Sequence, residues 1–253
     1  MKGTDKRLVS SKLEKTRVLA RNERLIPYIP STRRFSGSTL KQMLDLYRMV
    51  YLKPVDGLKG RGVMRAEWKE GKYELRYGTS AVGFKDFRAL FQSVRRRIRS
   101  KPYLIQKGVR MLRYRGRPFD FRIMVQKNEK REWEVTGIVG RVAPPRRIVT
   151  NRSQGGKCMR AAILLRPYMN KSRLRAYLAS LFQLSRSIGQ QFQTEYPGCW
   201  QLGVDIAVSQ DRKPWVLEVN TDPAVTPFVK LGNPRMKNRI KKLRRYNRSR
   251  YAR

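Results

Sequence analysis

The chain has 253 residues and a formal net charge of +41, from 59 lysine and arginine residues against 18 aspartate and glutamate residues. It contains no histidine, which excludes a serine–histidine nucleophile pair and histidine-based metal sites. Its two cysteines, Cys158 and Cys199, cannot by themselves build a zinc site or a disulfide framework. This cysteine usage, and the lack of a long apolar run or an apolar N-terminal signal, predict a cytoplasmic protein with no transmembrane segment.

The surplus of positive charge extends over the whole chain. Residues 1–24 carry eight basic and three acidic residues, and residues 235–253 carry ten basic and no acidic ones, so the central region is itself strongly basic. Such a field attracts polyanions, but no recognised nucleic-acid-binding motif accompanies it. A generally basic surface and a specific polyanion site therefore both stay open. The segment 233–253 is predicted to be a basic tail, and its end, Arg244–Arg253, is predicted to be solvated and partly disordered, with stacking of Tyr246 and Tyr251 on nucleic acid as the alternative.

Helical and strand patterns alternate in the first half of the chain. Ser38 is the predicted N-cap of a short helix that ends near Tyr47, and an apolar strand follows from Met49 to Pro54. The next segment, VDGLKGRGV, has three glycines within six residues and is typical of a tight loop between two strands. Further patterns predict a hairpin over 63–77, an amphipathic helix from about 84 to 98 and a strand over 103–107.

The second half predicts two more strand pairs separated by a long helix. Strands over 119–126 and 133–142 pair across a polar turn, and a helix covers 171–195. Strands over 200–209 and 213–219 then flank a turn at 210–212. Strands joined mostly by short turns, with helices packed outside them, indicate an α+β fold.

Carboxylates are scarce late in the chain, and two of them lie in apolar surroundings. Asp205 is within GVDIAV and Glu218 within WVLEVN, where a charged group costs free energy unless it is paired. Glu218 and Asn220 are two residues apart on a strand, so their oxygens face the same side. Hard oxygen ligands of this kind suit Mg²⁺. The alternative, in which each carboxylate simply pairs with an arginine, stays open.

Several cationic side chains are candidates for binding phosphate. Lys53 ends a strand just before the glycine-rich loop, and glycines let backbone N–H groups approach phosphate oxygens closely. The same glycines would equally fit a plain hairpin turn. In FDFR, Asp120 and Arg122 share one strand face, so Arg122 can bind a phosphate in a bidentate way while Asp120 orients a neighbouring basic group. Arg141 ends the paired strand.

In this order, YLKPVDGLKGRGV, YLIQKGV, RPFDFRIMVQ, NRSQGG and GVDIAV with VLEVNTDPAV resemble the ATP-grasp superfamily. More closely, they are similar to the YheC/YheD ATP-grasp proteins of endospore-forming bacteria, which are described as coat-associated. The resemblance covers about residues 30–232. It implies an ATP-grasp domain over 36–232, in which subdomains 36–107 and 108–232 clamp a nucleotide between them. A basic N-terminal segment, 1–35, precedes this domain, and the basic tail follows it. A full N-terminal domain of the kind that usually precedes ATP-grasp is not expected.

The resemblance also implies roles for individual residues. Phosphates would be held by Lys53 and the glycine-rich loop, through Gly57, Gly60, Arg61 and Gly62. Adenine would lie beside a hinge formed by Gln106, Lys107 and Val109. Asp120, Arg122, Arg141 and Asn151 would complete the nucleotide and acyl-phosphate contacts, and Asp205, Glu218 and Asn220 would bind Mg²⁺.

The resulting hypothesis is an ATP- and Mg²⁺-dependent carboxylate–amine ligase that acts through an acyl phosphate. Its catalytic residues would be Lys53, Arg122 and Arg141, and its substrate would be a carboxylate and amine pair, with the high charge favouring an acidic or polyanionic substrate. The resemblance also implies that the protein is associated with the spore. The alternative is a catalytically weak structural protein of the same fold that binds nucleic acid or another polyanion.

Overall fold

The computed structural model describes residues 11–55, 60–148, 150 and 156–251. Within these residues the chain forms two antiparallel β-sheets that face each other across a cleft, each with helices packed on it. This arrangement confirms the predicted α+β class. No helix among the described residues combines the length and apolar character needed to cross a bilayer.

The first sheet has the strand order β1-β6-β2-β3-β4-β5. Its strands are β1 (Thr32–Arg34), β2 (Met49–Pro54), β3 (Met64–Lys69), β4 (Lys72–Tyr77), β5 (Ser80–Phe84) and β6 (Tyr103–Lys107). The β3–β4 hairpin turns at Glu70 and Gly71, as predicted, and both residues have positive φ angles of 54° and 74°. Alternate residues of β2 divide between a buried core face, with Val50 and Leu52, and a face toward the cleft.

Two helices, α2 (Gly37–Tyr47) and α3 (Phe87–Ile98), cover the core face of this sheet. The prediction of Ser38 as N-cap is wrong, because Ser36 caps α2 by accepting a hydrogen bond from the Thr39 N–H at 3.0 Å. Ser36 has the extended backbone that an N-cap needs, whereas Ser38 already lies within the helix. Asp86 caps α3 in the same way through the Ala89 N–H.

The second sheet has the strand order β10-β9-β8-β11-β12, with a short β7 paired to β8. The strands are β7 (Arg113–Tyr114), β8 (Arg117–Lys127), β9 (Trp133–Val142), β10 (Lys157–Met159), β11 (Gln201–Val208) and β12 (Pro214–Asn220). Its core contains Phe119, Phe121 and Ile123 of β8, all fully buried. Helices α1 (Lys12–Ala20), α4 (Ala161–Leu165) and α5 (Lys171–Glu195) pack on this side.

The basic tail is helical as far as Tyr251, contrary to the prediction that its end from Arg244 is partly disordered. After the short α6 (Thr226–Lys230), helix α7 (Pro234–Tyr251) packs on β8 and β9. Ile240 and Leu243 are fully buried there, and the Asn247 amide donates to the Lys127 carbonyl at 2.7 Å. The apolar positions are three residues apart, so they share one helix face although basic residues surround them.

Candidate functional site

A cleft runs between the two sheets and collects most of the residues predicted to bind a nucleotide. It encloses about 770 Å³ of space not filled by protein atoms, a figure that includes solvent at its mouth. From the first sheet and its loop come Lys53, Gly60, Arg61, Gln106, Lys107 and Val109; from the second come Asp120, Arg141, Asp205 and Glu218. These ten predicted residues are therefore brought together from both sheets at one place.

Lys53 projects from β2 into the cleft next to Gln106 of β6. Its Nζ donates to Gln106 Oε1 at 2.5 Å, and Gln106 Nε2 in turn donates to Thr32 Oγ1 at 3.1 Å. Burial lowers the pKa of the Lys53 ammonium, and the negative charge of Glu218 opposes that shift. A buried ammonium whose nearest partner is a neutral amide is suited to receive an anionic ligand.

Asp120 and Arg141 form a buried pair at the centre of the opposite sheet. Arg141 Nε donates to Asp120 Oδ1 at 2.8 Å, and Arg141 Nη2 donates to Asp120 Oδ2 at 2.6 Å. The Thr150 hydroxyl donates to the same Oδ2 at 2.6 Å. Asp120 and Arg141 are 2% and 4% exposed, so the guanidinium plane is fixed by both oxygens of the carboxylate. Asp120 thus orients a basic group, as its position in FDFR predicted, and that group is Arg141.

Asp205 lies between two guanidinium groups. Arg122 donates to it through Nε and through Nη2, the latter at 2.9 Å, and Arg141 Nη2 is 3.0 Å from Asp205 Oδ2. Burial alone would raise the pKa of Asp205, but the positive charges of Arg122 and Arg141 hold it below its ordinary value. Although burial also opposes charge on Arg141, the attraction of Asp120 and Asp205 raises the pKa of that guanidinium. In this state Asp205 has the arginine partners that the sequence had left as an alternative.

Glu218 and Asn220 bring further oxygen atoms to the same end of the sheet. Asp205 and Glu218 are direct register partners on β11 and β12, and both line the cleft. Asn220 is two residues further and pairs in register with Gly203, whose carbonyl accepts from its Nδ2 at 3.4 Å. That contact uses the amide nitrogen, so the amide oxygen is the atom available to a cation.

Arg122 and Gly62 occupy different places, and Asn220 is not among the residues that line the cleft. Arg122 contributes through Asp205 and is not among the residues that line the cleft. Gly62, with φ +73°, lines a neighbouring cavity, and its carbonyl accepts from the Tyr103 hydroxyl at 3.0 Å. The expected roles of Gly57 and Asn151 concern positions outside the described residues.

The predicted hinge, where the chain leaves β6, makes a close backbone contact with β2 of the same sheet. The Gly108 N–H donates to the Met49 carbonyl at 2.8 Å, and a Cβ atom at Gly108 would lie 2.8 Å from that oxygen. Glycine is therefore required where the chain leaves β6. Lys107 Nζ lies 4.6 Å from the ring centre of Trp215 on β12, which connects the two sheets at this end.

Sequence reasoning missed residues that enter the cleft from outside the predicted motifs. Lys12 of α1 lines it, and its Nζ donates to the Pro54 carbonyl at 3.0 Å. Lys15, one turn further, has its pKa lowered by burial, with Glu218 opposing the shift. The N-terminal segment was treated as a basic extension, and only the apolar pair Val18–Leu19, both buried, signals that its helix docks.

The chemistry of Asp205, Glu218 and Asn220 fits Mg²⁺, since two carboxylates and an amide supply hard oxygen donors. The described residues contain no cluster of three histidine, cysteine, aspartate or glutamate side chains that would hold a metal, so the asparagine oxygen is needed to complete the set. Asp205 would contact the cation while its carboxylate also pairs with Arg122 and Arg141.

Comparisons with known proteins bear on the family and the fold. Residues 3–249 match the model of the YheC/D-like ATP-grasp family. The chain is 23% identical over 218 residues to the endospore coat-associated protein YheD of Bacillus subtilis (strain 168), covering 83% of this chain and 48% of YheD. It is 24% identical over 221 residues to the endospore coat-associated protein YheC of the same organism, covering 85% of this chain and 60% of YheC. The chain therefore spans about half to three-fifths of the length of these relatives.

Among solved structures, the ATP-grasp ligase PsnB, complexed with a phosphomimetic variant of its minimal precursor, Mg and ADP, superposes with a TM-score of 0.53. The alignment has 12% identity and covers 92% of this chain and 58% of PsnB. At this identity the similarity establishes the fold. With the family match over nearly its whole length, the chain belongs to the YheC/D-like ATP-grasp family.

Proposed function

We propose that the chain binds Mg·ATP in the cleft and uses it to join a carboxylate to an amine. The observation that carries this proposal is the facing arrangement of Lys53 and Gln106 on one sheet and Arg141, Asp205 and Glu218 on the other, within one cleft. Family membership supports it, and so does the Mg and ADP named in the complex of PsnB, a protein of the same fold.

In the proposed reaction, a carboxylate oxygen of the substrate attacks the γ-phosphorus of ATP, forming an acyl phosphate and releasing ADP. The amine nitrogen then attacks the acyl carbon, phosphate leaves, and the nitrogen loses a proton as the amide forms. This chemistry requires no nucleophilic side chain, which suits a chain without histidine. Catalysis would come from positioning and from electrostatic stabilisation of the transferring phosphoryl group.

The cations of the first sheet are assigned to the phosphates. The Lys53 ammonium would donate to phosphate oxygens in place of, or in addition to, Gln106 Oε1. Lys12 enters the same cleft and would add a second ammonium. The glycine-rich loop would approach the phosphates with backbone N–H groups, and the hinge residues Lys107 and Val109 would lie beside adenine.

The second sheet is assigned to the reacting end of the nucleotide. Arg141, held flat by Asp120, would stabilise negative charge on the phosphoryl group or the acyl phosphate. Glu218, Asn220 and Asp205 would hold Mg²⁺, which when bound neutralises charge on the phosphates. Arg122 positions Asp205 in the present arrangement and would be released toward phosphate to the extent that Asp205 turns to the cation.

The test is a calorimetric titration with Mg·ATP, followed by an assay of ADP release with mixtures of carboxylates and amines. Glu218→Gln should weaken Mg·ATP binding at least about tenfold, since one metal charge is removed. Glu70→Gln is the matched control, because Glu70 is an exposed residue of the β3–β4 turn with a side chain 79% exposed. If the wild-type chain does not bind Mg·ATP at millimolar concentration, the proposal fails.

Association with the spore is a separate part of the proposal. It is supported by the names of the two curated relatives, which are described as endospore coat-associated. Its test is immunodetection of the chain in purified spore coat fractions of the organism that produces it, compared with vegetative cell extract. Equal amounts per total protein in the two samples would contradict it.

A further inference from the structure

Helix α7 packs one face against the second sheet and leaves the opposite face exposed. Its buried positions are Ile240, Leu243 and Asn247. The exposed positions on the opposite side form what we call the outer face: Arg235, Asn238, Lys241, Lys242, Arg245, Arg248 and Ser249. The outer face therefore has five cations, two small polar groups and no acidic or apolar side chain, and none of its residues lines the nucleotide cleft.

Most of the cations on the outer face have no carboxylate partner. Lys242 Nζ lies 3.1 Å from Glu129 Oε1, and Arg239 and Arg244 on the flanks of the helix also pair with carboxylates. Within the described part of the chain, no carboxylate pairs with the other four cations of the outer face, which are Arg235, Lys241, Arg245 and Arg248. Three guanidinium groups and one ammonium are therefore open to an external anion.

The stability of α7 does not account for this distribution of charge. Basic side chains stabilise the last turn of a helix, where they face the negative end of the helix dipole. Arg235 and Lys237 lie instead in the first turn, which contains no acidic residue. Lys241 and Arg245 are one turn apart on the outer face, and like charges at this spacing destabilise a helix. A polyanionic partner would offset both costs.

The chemistry of the outer face favours a DNA duplex over a lipid surface. Arg235 and Arg248 are separated by about 20 Å along the helix axis. A duplex carries one negative charge per about 1.7 Å of its axis, so several phosphates come within reach of a face of this length. Guanidinium groups bind phosphate oxygens in a bidentate way. Helices that lie in a membrane surface insert apolar side chains into it, and the outer face has none.

The surroundings of Tyr246 favour contacts to phosphates over contacts to bases. Stacking of Tyr246 on bases is an alternative that the sequence left open. Its hydroxyl donates to the Glu129 carbonyl at 3.3 Å, and the guanidinium carbon of Arg250 lies 4.6 Å from the centre of its ring. The side chain of Tyr251 lies outside the described part of the structure. Since single-stranded nucleic acid is usually bound by stacking on aromatic rings, and the outer face has none, a duplex is the better match.

We propose that the outer face of α7 binds the phosphate backbone of double-stranded DNA without regard to base sequence. Arg235, Lys241, Arg245 and Arg248 would each contact a phosphate and release the counterions condensed there. Contacts of this kind position a protein on a duplex but carry no sequence information. The surface is separate from the nucleotide cleft, so this proposal does not depend on what the cleft binds.

The test is fluorescence anisotropy of a labelled DNA duplex of about 20 base pairs, titrated with the full chain at several salt concentrations. The quadruple variant Arg235→Gln/Lys241→Gln/Arg245→Gln/Arg248→Gln should bind the duplex at least about tenfold more weakly than the wild type at about 100 mM salt. The slope of log affinity against log salt should be smaller by about 3–4 in this variant, because each phosphate contact contributes about 0.9. Arg245→Gln alone should reduce the slope by about 1.

The matched control removes the same charges from α5. Buried α5 side chains share a core with Phe121 of β8, whereas Ile240 of α7 packs on Met124, so the two helices lie on opposite faces of the sheet. The control variant replaces three arginines and one lysine that are exposed on α5, Lys171→Gln/Arg173→Gln/Arg175→Gln/Arg186→Gln. Its affinity for the duplex should stay within about threefold of the wild type. Circular dichroism should show wild-type helix content in both quadruple variants, since every replaced side chain is exposed.

Equal losses of affinity in the two quadruple variants would overturn the proposal, because they would indicate only a general field effect. Absence of duplex binding by the wild type at about 100 μM protein would also overturn it. So would tighter binding, dependent on the outer face, to vesicles containing phosphatidylserine or to a polyglutamate of the same charge as the duplex. Affinity for Mg·ATP, titrated separately, should be the same in all variants, and its absence in the wild type would contradict only the proposed function.

Discussion

Replacing Arg141 by methionine tests whether the buried charge cluster is balanced as the structure indicates. Asp120 and Asp205 contribute two negative charges, Arg122 and Arg141 two positive ones, and Asp120, Arg141 and Asp205 are at most 4% exposed. Arg141→Met leaves Asp120 with the Thr150 hydroxyl as its remaining side-chain partner in the cluster. Removing one partner of a buried ion pair costs about 3–5 kcal/mol of unfolding free energy.

The double variant Arg141→Met/Asp120→Asn provides the decisive comparison. It restores neutrality, because Asp205 keeps its pairing with Arg122, and it should recover more than half of the loss. The measurement is urea-induced unfolding of the wild type, both single variants and the double variant at pH 7. A loss of about 3–5 kcal/mol corresponds to a fall in Tm of about 6–20 °C for a chain of this size.

Two results would refute this account of the cluster. A cost below about 1 kcal/mol for Arg141→Met would mean that water or another cation compensates Asp120, so the pair is not buried in the sense described. Strict additivity of the two single substitutions in the double variant would mean that the side chains are not energetically coupled. If Arg141→Met does not fold, Arg141→Lys keeps the charge, loses the bidentate geometry and should give a smaller, measurable loss.

Three further predictions concern the cleft and its surroundings. Lys53→Met should weaken Mg·ATP binding, measured by calorimetry, at least about tenfold. The free energy of unfolding should stay level or rise, because burial already disfavours the Lys53 ammonium and lowers its pKa. Gly108→Ala should destabilise the chain by about 1–3 kcal/mol in urea unfolding. The new Cβ would lie 2.6 Å from Met49 Cε and 2.8 Å from the Met49 carbonyl oxygen. If the variant were as stable as the wild type, the backbone at Gly108 would adjust freely, contrary to this account. The hydrogen bond from Arg239 lowers the pKa of Glu129 from 4.5 to about 2. The stabilisation that ionised Glu129 gives the folded state is therefore complete above the pKa that Glu129 has in the unfolded chain, and it is lost as the pH falls toward 2. Glu129→Gln should therefore have a lower Tm than the wild type at pH 7 and the same Tm near pH 2, and a difference that persists at pH 2 would contradict the assigned cause.

Local patterns were sufficient for most of the strands and for the long helix. Met49–Pro54, Tyr103–Lys107 and Lys171–Glu195 have the predicted bounds, because each has a clear period and ends at a glycine, proline or polar residue. The antiparallel pairing of the strands that carry Asp205 and Glu218 also follows, since one short turn connects them, whereas the bulge between Asp205 and Ile206 that brings Asp205 opposite Glu218 was not predicted. These are features that residues near in sequence determine among themselves.

The features that escaped prediction depend on contacts between distant residues. Lys12 contacts Pro54, and the amide of Asn247 contacts Lys127, across 42 and 120 positions of sequence. Neither α1 nor α7 shows a strong apolar stripe, and their many basic residues favour exposure when they are considered alone. The two helices are ordered because the second sheet offers buried positions to Val18, Ile240 and a few other side chains, which only the tertiary structure provides.

The side chains in the cleft that are proposed to attract a nucleotide are different from those that are proposed to act in the reaction. Arg122 and Arg141 are matched by Asp120 and Asp205, so the cluster on the second sheet has little net charge before a ligand arrives. Under the proposed function, net attraction for phosphate would therefore come from Lys53, Lys12 and the wider basic field, opposed by Glu218. Under the proposed function, a cation held by Asp205 would release the contacts that Arg122 and Arg141 make to that carboxylate, and Arg141, which lines the cleft, would face the phosphoryl oxygens. In that proposal the neutral cluster would hold its arginines in place without repulsion, and the nucleotide and its cation would then supply the charges with which the arginines and carboxylates change partners.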